Sequence, residues 1–381
     1  MLKAAIIGCG FMGGTHTESL RRLGIPVTGL CGIDPDEGRN AARRWNLGAA
    51  YGAYEEALAD PTVDVVHLCT PNYLHYPMAV AALEAGKHVL CEKPLANNSA
   101  EAAELVKLEK KSGRVGAVNY NLRFYPLNQE ARARIAAGDL GEIRIIHGEY
   151  CQDWLFLQSD WNWRLQPDLG GDLRVVADIG THWMDAVTWL TGSPIRSVCA
   201  DFATFLPTRL KPQREVETFA GTLSSKIEGE EVEIRTEDYA AILFRFANGA
   251  RGALTLSQIS AGRKNHFWWE LNGSKASMSW RQENPNELWI GHREKPNEFL
   301  LKDPSLMQPA ARPMAPYPGG HAEGYPDTFV QLFKSFYAYI AAGDFTKERP
   351  FATFEDGRRE LLLCEAIRQS ADQGRWVKVR Y

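Results

Sequence analysis

Residues 2–13 read LKAAIIGCGFMG: an apolar run, Leu2 to Ile7, delivers the chain into Gly8-Cys9-Gly10-Phe11-Met12-Gly13, and a helical pattern follows from Thr15 to Leu23. Strand, glycine turn and helix in that order form the opening of a βαβ unit that holds a dinucleotide. The first glycine permits the tight turn, the second lets a pyrophosphate approach the backbone, and the third lets helix and strand pack closely. The free N–H groups of the following helix then face the phosphates, with Phe11 and Met12 on the loop beside them. A second apolar run, Val27 to Ile33, ends at Asp34, where such a unit places the acid that binds the adenosine ribose. That carboxylate favours NAD over NADP, while Arg39, Arg43 and Arg44 keep NADP open, and an Asp-Pro-Asp turn that merely starts a helix explains the same residues.

Two further strands end in polar residues. Val63 to Cys69 runs into Thr70-Pro71-Asn72, with His75 one turn into the next helix, and His88 to Cys91 runs into Glu92-Lys93-Pro94. In an open parallel sheet ligands lie beyond the carboxyl ends of the strands, so Thr70, Asn72, His75, Glu92 and Lys93 are expected at one crevice.

Bulk properties narrow the class. A chain of 381 residues exceeds one core, so two domains are expected, one of them open to construction from separate pieces. A net charge of −4 argues against a general nucleic-acid binder. Seven cysteines without a CxxC pair suit buried thiols in a reducing compartment better than disulfides or zinc, and no metal is expected. No basic leader or long apolar segment precedes Ala4, so the expectation is a cytoplasmic protein with no membrane partner.

The ordered motifs GCGFMG, Cys69 to His75 (CTPNxxH) and Glu92 to Pro94 (EKP) resemble the glucose-fructose oxidoreductase and inositol dehydrogenase family. The resemblance implies that Lys93 lies beside the nicotinamide and the substrate hydroxyl, that Glu92 contacts the nicotinamide ribose, and that the bond before Pro94 is cis. It also implies an α/β plus α+β fold: an N-terminal Rossmann doubly wound parallel sheet over 1–121, then a substrate-binding and oligomerisation domain over 122–381 with a large open antiparallel sheet. The pattern agrees. Val115 to Asn121 reads as the last parallel strand, Arg123 to Pro126 as the crossing, and alternating strands follow, among them Ile143 to Tyr150, Ser197 to Phe205 and a hairpin of Tyr239 to Phe246 with Ala250 to Ile259. Further strands are expected at His266 to Leu271, Ala276 to Trp280 and Leu288 to Gly291, and the charged stretch Lys211 to Arg235 is expected as an exposed excursion.

Asp178 to Asp185 (DIGTHWMD) is expected to begin a helix running to Leu190, with Asp178, His182 and Asp185 on one face by their spacing. A carboxylate one turn from an imidazole holds its tautomer and raises its basicity, as a base for a hydroxyl proton requires. Helix capping by Asp178 and a structural histidine account for the same residues. The family's DxGxH motif matches here, and the resemblance makes Asp178 and His182 the base dyad, with Lys93 stabilising charge on the substrate oxygen.

For substrate, Trp154, Trp161, Trp163, Trp183 and Trp189 are interleaved with Asp153, Asp160, Asn162 and Arg164. Flat rings beside polar groups suit a sugar or cyclitol, so Trp161, Trp163 and Arg164 are expected to touch substrate, while Trp189 reads as core. His321 and Glu323 in the glycine-rich loop 317–325, with Arg123 and Tyr125 at the crossing, are further candidate contacts. Gly170-Gly171-Asp172-Leu173-Arg174 departs from the small apolar residues usual in the family, and its acid and base read as supports or pocket contacts. The leading reading is NAD-dependent oxidation of a secondary hydroxyl on a pyranose, sugar derivative or inositol. A glycoside-cleaving enzyme with transient redox and a nucleotide-sensing binding protein stand as alternatives, and a homodimer or homotetramer is expected because an open sheet face needs cover.

Overall fold

The computed structural model describes residues 1–213 and 229–381. The chain divides into two compact units, one made of residues 1–121, 169–171 and 326–361, the other of 122–168, 172–325 and 362–381.

In the first unit, β1 (Ala4–Ile7), β2 (Val27–Cys31), β3 (Ala50–Tyr51), β4 (Val65–Leu68), β5 (His88–Cys91) and β6 (Gly116–Val118) form a parallel sheet in the order β3-β2-β1-β4-β5-β6. Strands β1, β4 and β5 are buried along their whole length, which is why they read as continuous apolar runs. Between them run α1 (Phe11–Arg22), α2 (Pro35–Arg44), α3 (Tyr54–Ala59), α4 (Asn72–Glu84) and α5 (Ser99–Ser112). Asn98 starts α5 by accepting the Glu101 N–H at 2.9 Å, and Gly113 ends it in the left-handed region at φ 66°.

The first unit also takes in residues 326–361, which corrects the assignment of all of 122–381 to the second domain. Ala352, Phe354 and Leu361 pack into the same core as Leu95, Val118 and Tyr120. A Cβ on Gly116 would lie 2.7 Å from the Phe354 ring, so that strand residue leaves room for the returning chain. Helical periodicity marks this segment as amphipathic but does not say which core receives it.

The second unit carries α6 (Pro126–Ala136), the single turn α7 (Pro167–Gly170, whose last residues count with the first unit), and α8 (Thr181–Thr191). Its strands are β7 (Ile143–Cys151), β8 (Ile195–Ala203), β9 (Thr208–Pro212), β10 (Gly229–Glu233), β11 (Tyr239–Phe246), β12 (Arg251–Ser257), β13 (His266–Gly273), β14 (Ser277–Arg281), β15 (Glu287–Gly291), β16 (Glu298–Leu301) and β17 (Val377–Lys378). Nine of them form one sheet, ordered β16-β15-β14-β13-β7-β12-β11-β8-β17, antiparallel throughout except where β7 meets β12. The β11–β12 hairpin appears as the sequence predicts. Helices α6 and α8 cover one face, burying Trp183, Val187, Phe244, Leu256, Trp269 and Trp280 in a shared core. The other face leaves Ile145 and Leu243 exposed. Much of the charged excursion, 214–228, lies outside the described residues, and the strands flanking it, β9 and β10, pair with each other. Alternating apolar residues gave no sign of those two strands. The chain continues through α9 (Tyr325–Ala342) and α10 (Phe354–Gln373).

Candidate active site

The three glycines have three separate reasons. Gly8 adopts φ +98°, and a Cβ there would meet the Cys69 carbonyl at 2.5 Å. A Cβ on Gly13 would lie 2.1 Å from the Gly8 carbonyl, so α1 packs against the turn only because that atom is missing. At Gly10 the same test finds nothing within 4 Å, leaving the loop open where a pyrophosphate must approach. Helix α1 starts at Phe11, with Gly10 extended as its cap residue, so the N–H groups of a three-turn helix stand over that opening. These features fit a dinucleotide. Asp34 is exposed at the end of the β2 turn and accepts the Glu37 N–H at 2.8 Å, so it caps α2.

Beyond β4 and β5 the predicted residues gather in one place. His75 is buried, with Nδ1 2.7 Å from the Pro94 carbonyl and Nε2 2.9 Å from that of Thr70. It thereby links the end of β4 to the turn after β5. Burial pushes its pKa down, against the pull of the two carbonyls. Asn72 donates to the Gly170 carbonyl at 3.0 Å, and the Thr70 hydroxyl lies 3.8 Å from the Met78 sulfur. The Lys93–Pro94 bond is cis. Glu92 is buried, with Oε1 3.0 Å from His16 Nε2 and also bonded by the Asn119 amide. Burial pushes the Glu92 carboxyl up, but the His16 and Asn119 bonds and the Lys93 charge outweigh it and hold its pKa low. His16 and Asn119 were not picked out from the sequence. A polar side chain on the buried side of the helix after the glycine turn was the available signal.

The second unit holds the other motif. Helix α8 is preceded by a π-helical turn, Val176–Gly180, so Asp178 lies inside a continuous helical segment and does not begin it. This corrects the expected start and alters the spacing argument, because a π turn takes up an extra residue before α8. The Asp178 carboxylate accepts from Arg164 Nε at 3.1 Å and from Gln258 Nε2 at 2.8 Å. His182, buried on α8, has its ring centre 6.2 Å from that of Tyr150 on β7. Tyr150 donates to Asn265 Oδ1 at 2.8 Å, and Gln152 donates to the same oxygen at 2.9 Å. Burial, and after it the Asp178 charge, pushes the Tyr150 phenol well up. Tyr150 lies in β7, where a strand pattern reports burial and carries no mark of chemistry, and Gln152, Gln258 and Asn265 lie one residue beyond the ends of β7, β12 and β13, where amides read as ordinary turn residues.

The candidate substrate contacts and their neighbours fall into buried and accessible groups. Arg123 is buried against Asp185, with Nε 2.8 Å from its carboxylate, so this pair anchors α8 to the crossing segment. Tyr125 is 1% exposed and packs on Trp280 in the core. Trp163 is half-buried with the Arg164 guanidinium 4.3 Å from its ring centre, and Trp161 rests on the small cluster of Leu155, Leu165 and Ile234. Trp183 is fully buried, donating to the Trp268 carbonyl at 3.0 Å. His321 is exposed, whereas Glu323 is buried and bound by Lys302 Nζ at 2.6 Å, which places it as a clamp on its own loop. Arg174, in the departure from the family pattern, is fully buried against Asp238. Among the described residues no group of three or more His, Cys, Asp or Glu is disposed to hold a metal, and no helix is long and apolar enough to cross a membrane.

Comparison with known proteins agrees with the Rossmann-type sheet of the first unit and with the family of the whole chain. Residues 2–120 match the family model described as an oxidoreductase family with an NAD-binding Rossmann fold, and residues 128–279 match the GFO/IDH/MocA C-terminal domain. The chain is similar to levoglucosan dehydrogenase of Pseudarthrobacter phenanthrenivorans, at 29% identity over 99% of this chain and 98% of that protein. The structure of a levoglucosan dehydrogenase in complex with NADH and levoglucosan superposes with a TM-score of 0.88 at 28% identity, covering 100% of both chains. An inositol dehydrogenase homolog from Azotobacter vinelandii, in complex with NADH and myo-inositol, gives 0.85 at 26% identity over 99% of this chain and 97% of that one.

Proposed function

The chain belongs to the GFO/IDH/MocA family of NAD-binding oxidoreductases, and we propose on that premise that it oxidises a secondary hydroxyl of a pyranose sugar, a sugar derivative or an inositol. The observation that carries this reading is His182 on α8, four residues after a carboxylate, Asp178, that Arg164 and Gln258 fix in place. A carboxylate held by two donors keeps one orientation, and an imidazole is the right strength of base for a hydroxyl proton at neutral pH. NAD, when bound, supplies the hydride acceptor. The open glycine loop, Thr70 and Asn72 would hold it, with Asp34 toward the adenosine ribose and Glu92 toward the nicotinamide ribose. His182 takes the hydroxyl proton, and the Lys93 ammonium stabilises the negative charge that grows on the oxygen. Trp163, stacked on Arg164, offers a flat ring next to the Asp178 carboxylate's own partner, which suits the apolar face of a sugar ring.

The relatives' names point to levoglucosan and myo-inositol as the first compounds to assay. A panel of sugars, glucosides and cyclitols with NAD or NADP should give nicotinamide absorbance at 340 nm with at least one polyol. NAD should be preferred at least tenfold, because the Asp34 carboxylate repels a 2′-phosphate. Absence of turnover with every polyol would sink the proposal, and product formation without net NADH would favour glycoside cleavage.

We also propose that a second copy of this chain covers the open sheet face. Ile145 and Leu243 are exposed there, and Trp268 is only half-buried. Light scattering on the eluting protein should read two or four chains; a monomer at micromolar concentration would refute it.

A further inference from the structure

A line of buried polar side chains crosses the first unit from α9 to the strand end that carries Glu92. The Tyr337 hydroxyl lies 2.9 Å from His67 Nε2, His67 Nδ1 lies 2.9 Å from His16 Nδ1, and His16 Nε2 lies 3.0 Å from Glu92 Oε1. Both imidazoles are 0% exposed, and Phe333 closes on them with its ring centre 4.8 Å from His16 and 4.9 Å from His67. Three elements contribute, α9, β4 and α1, together with the residues that directly follow β5 and β6, Glu92 and Asn119. Six polar atoms in a row restrict where the hydrogens lie: three ring nitrogens each face one polar atom, and His16 Nε2 faces Glu92 Oε1 together with the Asn119 amide nitrogen at 3.3 Å, itself a donor to that oxygen.

Glu92 is a carboxylate, so His16 Nε2 must carry a hydrogen. If His16 is neutral its Nδ1 accepts, His67 Nδ1 donates, and His67 Nε2 accepts from the Tyr337 hydroxyl. Every donor then has an acceptor, and all the bonds run in one direction toward the one negative charge. With a charged His16 the direction of the outer bonds reverses, and among the described residues the Tyr337 hydrogen has no acceptor. A buried hydroxyl left in that state costs stability. Burial holds His67 well below the usual imidazole range, in keeping with a neutral ring.

We propose that Tyr337, His67 and His16 form a one-way hydrogen-bond relay that positions the Glu92 carboxylate, a role that rests on the reading of Glu92 as the partner of the nicotinamide ribose. Bonds aligned in one sense polarise one another, so the last donor in the line binds the carboxylate more firmly than a lone imidazole would. Helix α1 also carries the glycine loop, so the relay fixes the Glu92 side chain relative to the phosphate-binding turn. These are positioning residues; none takes part in proton transfer to substrate.

Nitrogen-15 imidazole spectra of the wild-type protein without cofactor test the hydrogens directly. The expected result at pH 7 is His16 as the Nε2–H tautomer and His67 as the Nδ1–H tautomer; a doubly protonated His16 overturns the relay. His16→Phe should raise the Kd for NAD about tenfold, the loss expected for one charge-assisted bond, leaving the KM for the polyol unchanged, and His16→Gln should recover much of it through its amide donor. Tyr337→Phe, which keeps the ring and removes the first donor, should raise the Kd by about threefold and guards against a His16 variant that does not fold. If wild type binds NAD and both variants bind it equally well, the positioning role is wrong although the function stands. If wild type binds no NAD, the cofactor reading falls and the role of Glu92 with it.

Discussion

Replacing His182 with alanine is expected to lower kcat by about 10²–10⁴-fold, the range for a positioned general base, with NAD binding unchanged. The side chain is buried on α8 beside the Tyr150 ring, in a helix that Arg123 anchors through Asp185. Truncation removes the imidazole and leaves the Arg123–Asp185 pair intact. The glycine loop belongs to the other compact unit, so a fluorescence titration with NAD should give the wild-type Kd. A folded variant that has lost NAD binding would contradict the assignment. Asp178→Asn should cost less than removing the base, since Arg164 can still donate to the amide oxygen and Gln258 can turn its own amide oxygen toward the new NH2 group, although the charge that favours the imidazolium is gone. An alanine at 182 that kept wild-type kcat would move the base elsewhere, to Lys93 first.

Which parts of this site could be read in the sequence follows from how local their physics is. The glycine turn is legible because steric demands at Gly8 and Gly13 act between atoms close in the chain or on the adjacent strand. The ends of β4 and β5 are legible for the same reason: a buried parallel strand is one apolar run, and polar residues directly after it mark the ligand edge. The helix at Asp178 was legible as a helix, but its π turn was not, because the sequence states a spacing and the extra residue shows only in the hydrogen bonds. Arg123 and Arg164 carried the right charge for a sugar contact, and what decides their role is the distant acid each meets: Asp185 for one, Asp178 for the other. His67 read as one residue of a strand and His16 as one of a helix; their contact across 51 positions exists only in the folded chain. Residues 326–361 joined the first unit for the same kind of reason, a tertiary choice between two cores that amphipathic patterning leaves undecided.

The largest effect on stability is expected at Asp238. Its carboxylate accepts from Arg174 Nη2 and, at 3.1 Å, from Arg209 Nη2, and all three side chains are 0% exposed. Its second oxygen takes the Leu206 N–H at 2.8 Å. Arg209 goes on to donate to the carbonyls of Leu155 and Leu157, both at 2.8 Å, so the cluster ties down the loop that leads to Trp161, Trp163 and Arg164. Arg174 precedes the π turn, where the neighbouring Glu237 carboxylate accepts the N–H groups of Arg174 and Val176. This is the support that the unusual Arg174 provides. Asp238→Ala would leave two buried guanidinium groups without that counter-charge, a loss of about 3–5 kcal/mol for breaking a buried ion pair by removing one partner. Urea unfolding followed by tryptophan fluorescence reads the right part of the molecule, since every tryptophan except Trp45 lies in the second unit. The midpoint should fall steeply. Replacing all three residues together with apolar side chains of similar size should restore much of the loss, because the penalty comes from uncompensated charge and not from missing volume. A triple variant no more stable than Asp238→Ala would show instead that the cluster's hydrogen bonds to the Leu155 and Leu157 carbonyls, and not its charge balance, hold this part of the second unit together.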